Sequence, residues 1–418
     1  MTHPAGSQSD ETEDFSVEQR RPERARVATG ATFALNGAAF ASLISRTPAL
    51  RDTLGLSTSG MGLLLLCLSV GAVSALPLSG PLVHRSGATR GVAAGVVAGL
   101  LGLGVAAAGL LAGSAPVTGA GLLLYGAGTG VWDVSMNVEG AEVERRLGRV
   151  LMPRFHAGFS LGTVAGAGAG AAAAAAGVAV SAQLLVTVVS VGLLSGLALR
   201  WFLPSGRADA PERPRRAQAR VLDAWREPRT LAVGVLVLAF ALTEGVANDW
   251  LALALVDGHG TAEWVGALGF GTFVTAMTLA RLVGGSLLER AGRVTTLRVS
   301  TAAAAAGVLL VVLGGPLPVV GLGALLWGAG AALGFPVGMS AAADDPDRAA
   351  VRVSVVSSIG YTAFLAGPPL VGFLAEAAGV LRALLVVLLA LVTAVLTAGS
   401  VAPLRPVPSR PREGLARS

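Results

Sequence analysis

The sequence predicts an all-α membrane protein: twelve transmembrane helices in two pseudo-symmetric six-helix bundles. Three observations carry this expectation. Of 418 residues, 53% are hydrophobic and only 13% are charged, and mean hydropathy is +0.69. A soluble protein carries about 25% charged residues, so this chain has too few to coat a water-facing globule. Twelve apolar segments are long enough to cross about 30 Å of hydrocarbon, which takes roughly 20 residues. Finally, one short pattern occurs twice. Gly80-Pro81-Leu82-Val83-His84-Arg85-Ser86-Gly87 and Gly285-Ser286-Leu287-Leu288-Glu289-Arg290-Ala291-Gly292-Arg293 both read Gly-x-x-x-(polar)-Arg-x-Gly, and their first glycines lie 205 residues apart, about half the chain. A motif repeated at half-length between membrane-length segments points to a duplicated membrane domain.

The elements follow in order. Residues 1–26 are polar and charged and are expected to form a disordered cytoplasmic tail with no cleavable signal peptide. Segments 27–48, 60–83, 91–113, 117–138, 154–176 and 178–202 make the N-terminal bundle, 27–202. The fifth and sixth run together as Ala- and Gly-rich sequence. Residues 203–228, with Pro204, Pro211, Pro214 and Pro228 among many arginines, read as a flexible cytoplasmic linker. Segments 229–254, 264–288, 294–315, 317–340, 352–375 and 380–402 make the C-terminal bundle, 229–402, and 403–418 is a second polar tail. A further match supports the duplication: Leu124-Tyr125-Gly126-Ala127-Gly128 and Leu326-Trp327-Gly328-Ala329-Gly330 stand 202 residues apart on corresponding segments.

Net charge is +6 and the isoelectric point about 10.9, which by itself would suit a nucleic-acid binder. The distribution excludes that class. The chain has no lysine, and 27 of its 31 basic residues fall on one side of the predicted membrane, in the tails, the linker and alternate loops. This is the positive-inside bias, which puts both termini and the linker in the cytoplasm and the protein in the inner membrane. The four exceptions are Arg46, Arg51, Arg281 and Arg382. Cys67 is the single cysteine, so no intramolecular disulfide can form. Gly126-Ala127-Gly128-Thr129-Gly130 lies in a membrane segment with no flanking strand, which argues against a dinucleotide loop. With no Walker motif, zinc spacing or catalytic triad, no cofactor, no metal and no enzymatic activity are expected.

Ionisable groups inside a membrane are costly and tend to face cavities, so each is a candidate site. Asp133 and Asn137 are four apart, on one face of a helix, as are Glu244 and Asn248, with Asp249 adjacent. Asn36 and His156 add two further polar positions. Burial favours the neutral form of a carboxyl group, which suits Asp133 or Glu244 to carrying a proton near neutral pH. Asn36 and Asn137 equally suit hydrogen bonds between helices. His156, near the cytoplasmic end of its helix, could pair with loop charges, and Asp249 could lie near the outer surface. Trp132 and Trp250 could stack on a sugar ring or anchor at the membrane boundary. Gly158, Gly162, Gly166 and Gly170 repeat every four residues and form a smooth ridge for close helix packing.

Six plus six helices, a long central loop and the repeated Gly-x-x-x-(acidic)-Arg-x-Gly motif resemble the major facilitator superfamily, over residues 27–402. Locally, Leu35-Asn36-Gly37, Asp133-Val134-Ser135-Met136-Asn137, Phe155-His156-Ala157-Gly158 and Glu244-Gly245-Val246-Ala247-Asn248-Asp249-Trp250 resemble the YbjJ-type bacterial facilitators, relatives of the fucose permease branch. The resemblance implies alternating access about a midplane site. It assigns the motif residues Gly80, Arg85, Gly87, Gly285, Glu289, Arg290 and Gly292, with Arg281 upstream, to a latch between the halves. His84 replaces the motif's acidic residue in the first copy. Asp133 and Asn137 match the branch's helix-four pair for sugar and proton, whereas the first segment has Asn36 and no carboxylate. The implied function is a secondary active transporter; a cavity with carboxylates and amides but few cations suits proton coupling to a small polar, sugar-like solute. Proton-driven efflux of drugs or metabolites is the alternative, and a non-transporting sensor or scaffold is the alternative of another class. The expected partners are the solute, protons and the lipid bilayer, and the expected state is a monomer.

Overall fold

The computed structural model describes residues 8–149, 151–203, 223–345 and 348–403. Most of the linker and both chain ends lie outside this range, so the disorder expected of 1–7, 204–222 and 404–418 falls outside the described residues. No strand occurs among the described residues. The chain forms α1 (Gln8–Ile44), α2 (Thr47–Leu54), α3 (Thr58–Ser86), α4 (Ala88–Leu111), α5 (Ala115–Leu147), α6 (Met152–Ala175) and α7 (Val180–Leu199). After the linker come α8 (Pro228–Leu253), α9 (Glu263–Leu313), α10 (Leu317–Ala331), α11 (Gly334–Ala342), α12 (Ala349–Ala378), α13 (Val380–Ala383) and α14 (Val386–Thr397). In one respect the structure departs from expectation: α1 begins at Gln8, so residues 8–26 are helical and not a disordered tail. The Glu, Gln and Arg of this stretch are good helix formers, and the membrane segment that follows supplies a nucleus from which the helix extends outward.

Among the described residues, ten helices or helix pairs are long and apolar enough to cross a membrane. The longest, Glu263–Leu313, holds 51 residues and breaks at Gly292, whose φ is 73°. α5 is not among the ten, because the glycines that let it pack closely lower its hydropathy.

The internal repeat is visible in the backbone. Gly87 and Gly292, the last glycines of the two motif copies, have φ of 84° and 73° with ψ of 160° and 163°. Only glycine adopts this region without strain, so each copy reverses the chain at its final glycine. The second pair of matches behaves alike. A Cβ at Gly126 would collide with the Leu68 carbonyl of α3, and one at Gly128 with Gly99 of α4. A Cβ at Gly328 would collide with the Phe273 carbonyl of α9, and one at Gly330 with Ser300 and Ala304 beyond the α9 break. Each Gly-Ala-Gly thus clamps one helix between the two that precede it.

The ridge in α6 packs on α1: Gly158 faces Gly30, Gly162 the Ala34 carbonyl, Gly166 the Ala38 carbonyl and Gly170 the Ser45 hydroxyl. Because the obstacle at Gly162 is backbone, it cannot move aside. Gly162→Val is expected to cost about 3 kcal/mol, the upper end for overpacking, and to lower the melting temperature of the purified protein. Gly168→Ala, where a Cβ meets open space, should leave it unchanged.

At the end that bears the termini, arginine networks tie each half internally. Arg293 holds Asp344 through Nη1 at 2.8 and 2.9 Å, and Arg229 reaches the same carboxylate at 2.9 Å. Glu227 accepts from Arg352 at 2.7 Å and Thr230 at 2.8 Å and pairs with Arg348. Partial burial pushes the Glu227 carboxyl up. The hydrogen bonds from Arg352 and Thr230 and the charges of Arg352 and Arg348 outweigh that and hold it below its ordinary value. A depressed folded pKa gives stability that is present above the unfolded value, about 4.3, and is lost as pH falls through the folded value. Glu227→Gln should therefore melt below wild type at pH 7, with the gap closing as the pH falls below about 4.

Candidate functional site: a polar cleft between two halves

The halves meet through α3 against α12 and α6 against α9. Polar contacts between them cluster at the end away from the termini. Arg46, just after α1, is 2% exposed; its Nε donates to Glu263 at 2.6 Å, Nη1 to Gln183 at 2.5 Å and Nη2 to the Val178 carbonyl at 2.9 Å. Arg51 of α2 pairs with Asp257, in the π-turn (Ala254–Gly258) that ends α8. Glu376 of α12 accepts from Thr58 Oγ1 at 2.9 Å and Ser59 N at 3.2 Å. Beside these, a Cβ at Gly62 would stand 2.6 Å from the Pro368 carbonyl, so α3 and α12 touch backbone to backbone. This end is sealed.

The motif glycines and charges at the opposite end are open. Gly80, Arg85, Gly285, Glu289, Arg290 and Gly292 are exposed, and a Cβ at Gly80 or Gly285 would meet nothing within 4 Å. Among the described residues, no ion pair or hydrogen bond joins these two motif copies to the facing half.

Between the two ends lie the predicted site residues. Asp133 sits eighteen positions into α5, roughly 27 Å along its axis at 1.5 Å per residue. Its neighbours Trp132 and Ser135 are buried, yet Asp133 is exposed. A carboxylate exposed to lipid at that depth would be costly. Instead Tyr361, from α12 of the other half, lies within electrostatic reach of it, so Asp133 lies on the side of α5 that turns toward the other half. Asn137, one turn on, donates Nδ2 to the Asp133 carbonyl at 2.9 Å and to Oδ1 at 3.4 Å. Among the described residues Asp133 has no basic partner.

Glu244 of α8 is salt-bridged to Arg281 of α9 at 3.0 Å. Arg281 Nε also donates to the Ala332 carbonyl at 3.2 Å. That carbonyl is free because the chain bends between α10 and α11, and an arginine satisfies it. Trp327 Nε1 bonds the Thr243 carbonyl at 3.1 Å, holding α10 against the turn that carries Glu244. Arg281 lies eight residues before Glu289, roughly 12 Å along the helix, and its polar partners are Glu244 and the Ala332 carbonyl, not the loop motif. Glu244 is ion-paired to Arg281, and among the described residues it makes no hydrogen bond to Asn248, which shares its helix face.

His156 stands at the cleft, edge-on to Phe33 with ring centroids 5.2 Å apart. It is exposed and lies within electrostatic reach of Arg281 across the halves; no loop charge pairs with it among the described residues. Asn248 and Asp249 are half-buried, and neither makes a hydrogen bond or ion pair among the described residues. Asn36 is 2% exposed, with Nδ2 4.0 Å from Met136 Sδ, so it sits between α1 and α5. Trp132 and Trp250 are 1% and 0% exposed; both are interior packing residues, neither boundary anchors nor stacking platforms in the cleft.

Four participants carry no mark in the sequence that singles them out. Tyr361 has no charge, and nothing local distinguishes it. Glu139, 3% exposed, accepts the Leu203 amide at 2.8 Å and fastens the end of α7. Gln183 and Glu263 matter only through Arg46. Their partner did carry a signal: of the four arginines off the basic side, Arg46, Arg51 and Arg281 are the ones that make cross-helix ion pairs.

Comparison with known proteins agrees with this architecture. The family model described as Major Facilitator Superfamily matches residues 27–344. The uncharacterized transporter y4wD of Sinorhizobium fredii is 37% identical over 351 residues, covering 83% of this chain and 90% of its own. An uncharacterized MFS-type transporter of Yersinia pestis is 30% identical over 353 residues, covering 84% and 89%. Among solved structures, a mutant of the nucleoside transporter NupG superposes with a TM-score of 0.74 at 16% identity, covering 91% of this chain and 98% of that one. The E. coli fucose:proton symporter FucP superposes with a TM-score of 0.61 at 15% identity, covering 91% and 98%.

Proposed function

The chain belongs to the major facilitator superfamily, a family of membrane transporters and not enzymes, and from that premise we propose a proton-coupled secondary transporter of a small polar, sugar-like solute, working by alternating access. Twelve crossings follow if the 51-residue α9 is divided at Gly292 and α5 is added to the ten apolar spans. Both termini and the linker then lie in the cytoplasm of a cell whose inner membrane holds the protein. In that orientation the sealed end is the outer one, and the structure is an inward-facing state. The two motif copies are disengaged, as a latch for the opposite state would be.

One observation carries the coupling: Asp133 is exposed in the middle of a helix bundle, opposite Tyr361, with no basic partner among the described residues. Such a carboxylate can bind a proton when the cleft opens to one side and release it to the other. Glu244, already neutralised by Arg281, suits orienting the solute through hydrogen bonds. Two of the similar solved structures, a nucleoside transporter and a fucose:proton symporter, support the polar solute and the proton. Export of a cationic compound is the rival reading, because an uncompensated carboxylate also attracts a cation. A non-transporting sensor would tolerate loss of Asp133.

The test is proteoliposomes with an internal pH dye, challenged with sugars, nucleosides and cationic drugs. A solute-dependent pH change is expected, and its sign separates symport from exchange. Solute flux with no proton movement would remove the coupling. The orientation is tested separately: Cys67→Ser gives a cysteine-free background, and single cysteines within 203–228 should react only from the cytoplasmic side.

A further inference from the structure

α1 and α7 are pinned together at the sealed end and part toward the other. At the pinned end the Ser42 and Thr187 hydroxyls are 2.8 Å apart, and Gln183 Nε2 donates to the Ser42 carbonyl and hydroxyl, each at 3.0 Å. Nearer the termini the two helices enclose a groove of about 850 Å³, walled by Val27, Ala31 and Leu35 from α1 and by Leu194, Leu197 and Trp201 from α7 and its end. Val27, Leu194, Leu197 and Trp201 are 61%, 51%, 52% and 45% exposed. An apolar groove of this kind at membrane depth is filled by hydrocarbon and not by water.

The mouth of the groove is charged. The Arg24 guanidinium stacks 4.6 Å from the Trp201 ring centroid. Glu23, beside it, is already taken by Arg26 at 2.6 Å and Arg149 at 3.1 Å. Among the side chains described from Pro22 onward Arg24 therefore has no acidic partner, and its guanidinium lies over the indole. A guanidinium held this way suits bidentate hydrogen bonding to phosphate. With Glu23 neutralised, a cationic headgroup finds no partner here, so the charge complementarity favours a headgroup with net negative charge. None of Asp133, His156, Glu244 and Arg281 lines this groove.

We propose that the groove between α1 and α7 binds one anionic phospholipid of the cytoplasmic leaflet, with its phosphate on Arg24 and an acyl chain along Ala31 and Leu197. The proposal rests on placing the termini in the cytoplasm, but not on solute or coupling. Full-length protein in detergent, titrated with phosphatidylglycerol or phosphatidylcholine and read by native mass spectrometry, tests it. Wild type should retain one phosphatidylglycerol about fivefold better than phosphatidylcholine, the preference expected of one interfacial arginine. Arg24→Glu should abolish the preference, Arg24→Lys should keep part of it, and Ala31→Phe, which fills the groove from its α1 wall, should reduce retention of both lipids. Asp133→Asn should retain lipid as wild type does, so a failed transport reading leaves this result intact. Equal retention of the two lipids, or an unaltered preference in a folded Arg24→Glu protein, overturns the proposal. So does lipid binding that emerges only after residues 1–21 are deleted, since the chain's own terminus would then be the occupant.

Discussion

Asp133→Asn is expected to reduce solute-driven proton movement at least tenfold, well within the roughly 10²–10⁴-fold that one positioned proton-transfer group contributes. It should leave the melting temperature within about 2 °C of wild type, as for a substitution worth under about 0.5 kcal/mol. The substitution is nearly isosteric. Asn137 can still donate to an oxygen at position 133, as it does now at 3.4 Å, and no salt bridge is broken, because Asp133 has no basic partner among the described residues. What disappears is the titrating group. Arg281→Gln offers the contrast. It leaves Glu244 without its 3.0 Å partner and the Ala332 carbonyl without its donor, so it should lower stability as well as flux, since an unpaired buried charge is costly. If Asp133→Asn carried protons at the wild-type rate, Asp133 would not be the coupling site, whatever else the cleft binds.

The double variant Glu263→Gln with Asp257→Asn is expected to open the sealed end. It removes the two cross-half ion pairs found among the described residues, Arg46–Glu263 and Arg51–Asp257, and leaves the helices that carry them intact. Breaking a fully buried pair costs about 3–5 kcal/mol. Glu263 is 30% exposed and Asp257 23%, so solvent screens part of each, and about 1–2 kcal/mol is a fair magnitude. That shifts the balance toward the outward-open state by about tenfold, since about 1.4 kcal/mol is a decade. A cysteine at His156 in the Cys67→Ser background reports it: a membrane-impermeant maleimide added from outside should label it about tenfold faster in the double variant. Unchanged labelling would mean that the seal resides in the backbone contact of Gly62 with Pro368 and not in the charges. Thr58→Ala, which removes the 2.9 Å bond to Glu376, should act in the same direction and more weakly.

Much of this molecule is settled by composition and spacing. Apolar segments of membrane length must become helices, because hydrocarbon offers backbone groups no other partner. A glycine recurring every four residues must face one neighbour, and the α6 ridge lies on α1 as that rule requires. The two motif copies reverse the chain at Gly87 and Gly292 with nearly equal dihedrals, because the positive φ is available cheaply only to glycine. The candidate acids can be named for the same local reason: a charge inside an apolar segment is costly and marks its own position.

Tertiary structure alone decided what those charges meet. Glu244 and Asn248 share a helix face, but the partner that matters, Arg281, is 37 residues away and stands in the sequence just ahead of a loop motif. Asp133 and Glu244 look equivalent in sequence; the first faces Tyr361 across the cleft and the second is ion-paired. Trp132 and Trp250 fit a boundary or a binding site, and both lie in the interior. Arg46, Glu263 and Gln183 form one network from three distant stretches. Periodicity reports which side of a helix is apolar, since that depends only on neighbours three and four residues away. It does not report which helix comes to lie against that side, because an ion pair or seal depends on where two separately folded halves dock.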